Sequence, residues 1–158
     1  MSSTILKTYL NDHLAGSVVA LELLEHLITL RPGADGESFT TLRAEIEEDQ
    51  RILQQILERL GGTESRVRKT AAWLTEKLGR AKLRFDDPGS GELRVLEALE
   101  TLGLGIQGKL ALWRALATVA ETVPELGPLD FPKLERRAID QFERVDRLRL
   151  KAARTALS

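Results

Sequence analysis

Histidine and carboxylate side chains are the residues of this sequence that could bind a metal ion. The chain has two histidines, His13 and His26, and both lie in the same predicted helix. A di-metal centre in a helical bundle takes an inward Glu from each of two helices and a Glu-x-x-His pair from each of the other two. No Glu-x-x-His pair occurs in the sequence. The sequence therefore predicts no bound metal or other cofactor, and a non-standard site would have to use His13, Asp49 and nearby carboxylates.

Other polar residues interrupt the apolar faces of the predicted helices. Helical phase places His13, Ser17, Asp49 and Arg149 toward the interior, with Lys109 at its edge. An unpaired buried charge costs several kcal/mol, so we expect Asp49 to accept hydrogen bonds from Arg149, His13 or Lys109. Two interpretations stay open: a structural cluster that sets the register of the helices, and a small ligand pocket in the core. No nucleophile or substrate pocket is identified, so the sequence does not predict an enzyme.

Three glycines, Gly103, Gly105 and Gly108, lie within one predicted helix. A glycine inside a helix costs about 0.8–1.0 kcal/mol relative to alanine, so something should compensate. Close approach of a neighbouring helix is one explanation, and room for a ligand or a local bulge is the other. The glycines do not follow a strand, which excludes a dinucleotide fingerprint or a phosphate loop.

Five predicted helices position these residues within a single all-α domain over 1–158. Apolar residues recur at spacings of three and four, and Pro and Gly end the segments. The helices span about 4–30, 38–60, 64–85, 92–122 and 131–157. A loop of about six to eight residues after the first helix predicts that the first two are antiparallel neighbours, and the last two form a second hairpin.

Two long helical hairpins joined by an end-to-end connection resemble the ferritin-like family of four-helix bundles. The predicted third helix, about 22 residues long, covers roughly 33 Å and is long enough to cross the bundle. The resemblance implies an antiparallel four-helix bundle with an additional crossover helix. An up-down array of five helices fits the same pattern. The metal ligands of the family cannot be carried over to any position, because the Glu-x-x-His pairs are absent.

The predicted third helix is basic, although the net charge of the chain is only -1. A patch for an anionic partner would consist of Arg66, Lys69, Lys77, Arg80 and Arg84. Pairing with acidic neighbouring helices explains the same charges. No nucleic-acid motif is present, so the sequence argues against binding to nucleic acid or a membrane surface. Trp73 and Trp113 are candidates for an interface or for the core.

Composition limits the remaining classes of function. The absence of cysteine excludes disulfides and thiolate chemistry and indicates a reducing compartment. No signal segment is recognised, and we predict a cytoplasmic protein. The predicted function is a non-catalytic binding or scaffold role, with a homodimer as one expected assembly. The alternatives are a metal-dependent oxidoreductase or metal-storage protein with a non-standard site, and an adaptor for anionic partners.

Overall fold

Four long α-helices make up most of the part of the chain that the structure describes. The computed structural model describes residues 2–62, 72–73, 76 and 91–158. The helices are α1 (Ser2–Leu30), α2 (Ala34–Arg59), α3 (Glu92–Val119) and α4 (Phe131–Leu157), and a short 3-10 helix lies at Pro124–Leu126. The predicted all-α helical bundle is confirmed. The predicted third helix over 64–85 lies outside the described residues, except for positions 72, 73 and 76.

Two of the predicted helix boundaries are wrong by about one turn. α2 begins at Ala34 rather than at residue 38. Gly33 takes a positive φ of 92°, which reverses the chain direction in a short turn directly before the helix. The loop after α1 therefore has three residues instead of six to eight. α3 ends at Val119 rather than at residue 122, because the Thr122 N–H already forms a tighter, 3-10 type bond to the Val119 carbonyl (3.0 Å).

The helices alternate in direction between neighbours. α1 and α2 are joined by a three-residue turn and pack side by side, and α3 and α4 form a second hairpin with the closest packing in the bundle. The Arg31 guanidinium at the end of α1 pairs with the Glu92 carboxylate at the start of α3. Each of these contacts joins antiparallel helices, so α1 and α4 run in one direction and α2 and α3 in the other.

The chain leaves α2 and enters α3 at opposite ends of the bundle. Arg59, at the end of α2, donates to the carbonyl oxygen of Glu125, just beyond the end of α3 (3.4 Å). The start of α3 lies instead beside the end of α1, through the pairing of Glu92 with Arg31. The two points are separated by the length of α2, whose 26 residues span roughly 39 Å at 1.5 Å per residue.

The core consists of two apolar clusters, one toward each end of the bundle. The first contains Leu24, Leu27, Phe39, Leu42, Ile46, Leu99 and Ile106. The second contains Leu10, Leu14, Leu53, Ile56, Leu112, Trp113 and Leu134. Each fully buried leucine or isoleucine contributes about 1.5–3 kcal/mol through the area it removes from water. Between the clusters, polar residues take the inward positions, and they define the candidate site.

The most apolar helix is α1. Among the described residues, Ser3–Leu30 is the one stretch long and apolar enough, by length and composition alone, to cross a membrane, with a mean hydropathy of 1.3. Only 28% of this stretch is buried inside the bundle, and the buried part includes Leu10, Leu14, Leu24 and Leu27 against α2 and α3. The apolar face of α1 thus has a partner inside the bundle.

Candidate functional site

One polar residue from each helix lies at the same level of the bundle. We call Ser17 (α1), Asp49 (α2), Lys109 (α3) and Gln141 (α4) the central polar layer. Along each helix, the residue of this layer lies between a residue of the first apolar cluster and a residue of the second. The layer therefore interrupts the core at the middle of the bundle, where ligand sites of helical bundles are built from facing side chains.

Asp49 is the centre of the layer, and its residue is only 2% exposed. Its Oδ2 accepts hydrogen bonds from Lys109 Nζ at 2.6 Å and from Gln141 Nε2 at 3.4 Å. Its Oδ1 accepts from the guanidinium of Arg137, also on α4. Charge-assisted bonds of this kind are stronger than neutral ones, which offsets part of the cost of removing the charges from water.

Gln141 connects this carboxylate to a second one. Its amide oxygen accepts from Lys109 Nζ, and its Nε2 donates to Glu45 Oε2 at 3.1 Å. The same Glu45 carboxylate is bound by Arg144, one turn further along α4. Gln141 is fully buried, and both ends of its amide are satisfied, as a buried polar group requires.

Lys109 is a buried ammonium with one hydrogen still available. Two of its three N–H groups are directed to Asp49 and Gln141, and the described residues offer no partner to the third. Burial lowers the pKa of Lys109, and the Asp49 carboxylate beside it acts in the opposite direction. The pairing with Asp49 is what makes a charged amine tolerable at this depth.

A cavity of about 200 Å³ lies against the central polar layer, between α1, α2 and α3. Its α2 wall is buried and consists of Ile46, Asp49 and Leu53, with Gln50 at the edge. Its rim consists of exposed residues of α1 and α3, among them Asp12, Gly16 and Gly105. Within the part of the chain that the structure describes, the cavity opens at the seam of α1 and α3 and ends at the polar layer.

Glycines hold the cavity open. Among the described residues, an added Cβ at Gly16, Gly105 or Gly108 would meet no other side chain or neighbouring helix within 4 Å, and all three glycines line the cavity. Gly103 differs, because its Cβ would lie 3.6 Å from the Phe142 ring of α4. This is an ordinary van der Waals distance, so close approach of α4 does not by itself require glycine at position 103, and the other two glycines of α3 adjoin open space among the described residues.

Gly105→Ala and Gly108→Ala should each raise the free energy of unfolding by about 0.8–1.0 kcal/mol. The reason is that alanine favours the helix by this amount and its methyl group has room. Urea denaturation measures the change. Gly36→Ala is the control, because its Cβ would lie 2.7 Å from the Arg31 carbonyl oxygen and should destabilise the chain. A loss of stability at positions 105 and 108 would contradict the open cavity wall.

The structure brings together four of the five residues that the sequence places in a polar cluster. Lys109 binds Asp49 directly, and Ser17 accepts a hydrogen bond from Gln50 Nε2 at 2.9 Å on the cavity wall. His13 lines the same cavity and packs edge-on against the Tyr9 ring at 4.7 Å, but it does not bond to Asp49. Burial lowers the pKa of His13, against the opposing effect of Asp12.

Arg149, one of the three alternative partners expected for Asp49, does not contact it. Arg149 is 31% exposed and pairs with Asp146, one turn away on α4, and with Glu100 of α3 at 3.8 Å. It lies about 12 Å beyond Gln141 along the axis of α4, at 1.5 Å per residue. Helical phase does not give the height of a residue relative to the neighbouring helix.

Sequence reasoning missed Arg137 and Gln141, the α4 members of the network. Gln141 occupies an apolar-stripe position between Ala138 and Val145, and that interruption is a signal in the sequence. Arg137 lies at the edge of the stripe and reaches Asp49 through its long side chain. Only the packed structure shows that it does so.

The site is not arranged as a metal centre. Among the described residues, no group of three or more His, Cys, Asp or Glu side chains is placed to hold a metal ion. His13 and Asp49 line one cavity, but both oxygens of Asp49 already bind cationic side chains. A metal ion at Asp49 would be repelled by Lys109 and Arg137 at short range.

The remaining candidate residues are the two tryptophans and the basic patch. Trp113 is fully buried in the second apolar cluster, whereas Trp73 is 52% exposed. The basic patch lies outside the described residues, and its members are Arg66, Lys69, Lys77, Arg80 and Arg84.

Comparison with known proteins adds no relative from which a function could be inferred. The chain matches no protein-family model, and neither the curated proteins nor the solved structures include a match to it. The functional argument therefore starts from the geometry of the central polar layer and its cavity.

Proposed function

We propose that this chain is a non-catalytic, cytoplasmic binding protein that holds a small, largely apolar ligand in the cavity between α1, α2 and α3. The observation that carries the proposal is the position of the cavity of about 200 Å³, open at the rim and ending at a buried polar layer. Ligand sites combine apolar walls with a few placed polar groups in this way. An engineered cavity of about 150 Å³ is enough for benzene, so the space suits a ligand of single-ring size.

The composition of the cavity wall supports a binding role over a packing defect. Gly105 and Gly108 each cost the helix about 0.8–1.0 kcal/mol relative to alanine, and no close helix contact at either position requires glycine. The adjoining polar layer adds the free-energy cost of removing the charges of Asp49 and Lys109 from water. An apolar core at the same positions would be at least as stable. The two glycines and the polar layer both cost stability, and both are expected if the cavity serves to bind a ligand.

The ferritin-like class remains part of the proposal. Support comes from two antiparallel hairpins whose connection has to pass from one end of the bundle to the other. In this assignment the ammonium of Lys109, held by Asp49 and Gln141, takes the central position that a metal ion has in di-metal bundles. A buried ammonium is a binding group and not a redox centre, which favours binding over oxidoreductase chemistry.

Filling the cavity should abolish ligand binding without unfolding the chain. The test titrates toluene, nitrobenzene and benzoate into the protein and follows the backbone amide signals of Gly16, Gly105 and Gly108 by NMR. Gly108→Leu should remove the shifts because its side chain enters the cavity. Gln107→Leu is the matched control, since residue 107 is exposed and does not line the cavity. Shifts with none of the three probes, or shifts that survive Gly108→Leu, would exclude the cavity as a ligand site.

A further inference from the structure

We infer that the ligand of the cavity is a small carboxylic acid, bound as the carboxylate by the ammonium of Lys109 with its apolar body toward the rim. The inference rests on the proposed function and adds to it the chemical class of the ligand. Three features of the described residues carry it: the sharing of Asp49 between two cations, the unused hydrogen of Lys109, and the division of the cavity into a polar inner end and an apolar remainder.

The carboxylate of Asp49 is shared between two cations. Lys109 binds its Oδ2 and Arg137 binds its Oδ1, so Asp49 does not serve Lys109 alone. Glu45 pairs with Arg144, which in turn also pairs with Asp140. Arg137 does not line the cavity, so Lys109 is the cation that a ligand carboxylate would meet there.

The donor that the carboxylate needs is already positioned. Lys109 Nζ is held by Asp49 and Gln141, and its third hydrogen has no partner among the described residues. Lys109 is among the residues that line the cavity, and the inference places the carboxylate of the ligand beside its Nζ. Because the ammonium is fixed before binding, little side-chain freedom is lost when the ligand arrives.

The other polar groups of the cavity do not compete for this role. Ser17 already donates its hydroxyl hydrogen to the Leu14 carbonyl at 2.6 Å. Burial lowers the pKa of His13 and so disfavours the positive charge that would attract an anion. Asp12 lies at the exposed rim, where water screens its charge. Lys109 is therefore the one cation of the described lining that can pair with an anion.

Comparing the affinities of benzoate and nitrobenzene tests the effect of ligand charge at nearly constant ligand shape. The two molecules have nearly the same planar outline, but only benzoate carries a full negative charge. Titrations at pH 7, followed by NMR on the same glycine amides, should give benzoate an affinity at least about tenfold higher than nitrobenzene, which is the effect of one charge-assisted hydrogen bond. Benzylamine, with the opposite charge, should bind more weakly than nitrobenzene.

Lys109→Met tests whether Lys109 is the residue that binds the carboxylate of the ligand. The variant keeps the length of the side chain and removes the charge, so it should abolish the preference for benzoate while changing the nitrobenzene affinity little. Circular dichroism establishes that it is folded, and the comparison of the ligands in the unmodified protein stands without it. Equal affinity for benzoate and nitrobenzene, or a preference for benzoate that survives Lys109→Met, would overturn the inference and leave the proposed function intact. If neither probe binds, the proposed function itself fails.

Discussion

Asp49→Asn is expected to lower the free energy of unfolding by about 3 kcal/mol. Removing one partner of a buried ion pair costs about 3–5 kcal/mol, because the remaining charge stays in a poorly solvated place. Here Lys109 and Arg137 would both lose the charge that compensates them. The lower end of the range applies because the Arg137 side chain keeps 25% of its surface in contact with water. Urea denaturation, with the slope compared between variants, measures the loss.

A matched substitution on the same helix separates the buried pairing from a general effect of charge. Glu48→Gln removes one negative charge next to Asp49 in sequence, but Glu48 is exposed, and its partner among the described residues is Arg51, a neighbour on the helix surface. Its expected effect lies within about 0.5 kcal/mol. Equal losses at positions 48 and 49 would contradict the buried network.

A double variant shows whether the lost stability comes from Lys109. Asp49→Asn combined with Lys109→Met removes both members of the Asp49–Lys109 pair and leaves no ammonium without its carboxylate. The double variant should be more stable than Asp49→Asn alone, since an unpaired buried charge is worse than an uncharged pair of similar volume. A strictly additive loss would place the two side chains in independent environments.

Trp113→Ala is expected to cost about 3–5 kcal/mol, the range for truncating a large aromatic residue in a packed core. Trp113 is fully buried among Leu10, Leu14, Leu112 and Leu116 in the second apolar cluster. The surrounding helices cannot close a space of that size without moving, so the transfer and cavity contributions add. The free energy of unfolding in urea, followed by circular dichroism, measures the effect.

The second tryptophan serves as the control for this prediction. Trp73 is 52% exposed, and Trp73→Ala should change the stability by no more than about 0.5 kcal/mol, as expected for a surface substitution. Fluorescence distinguishes the two residues directly. The Trp73→Ala variant, with Trp113 alone, should emit at shorter wavelength than the Trp113→Ala variant. Comparable losses of stability at the two positions would contradict a buried Trp113 and an exposed Trp73.

The amino-acid sequence by itself determined the helical class of the fold and the inward position of its key carboxylate. Apolar residues at spacings of three and four specify an amphipathic helix without reference to any other part of the chain. The same periodicity places Asp49 on the apolar side of α2, where the structure buries it. The apolar pattern does not fix where a helix begins. The turn at Gly33 lets α2 start about one turn earlier than that pattern predicts.

The tertiary structure alone decided which residues Asp49 meets and that a cavity adjoins them. Helical phase gives the direction of a side chain but not its height relative to a neighbouring helix. The phase of Arg149 therefore did not show that this residue lies beyond Asp49 along the bundle, whereas Gln141 lies level with Asp49. The cavity has the same origin, since Gly16 of α1 and Gly108 of α3 border one space only after the helices have packed in register. Local periodicity follows from the chain's own geometry, whereas register follows from the fit of whole helix surfaces.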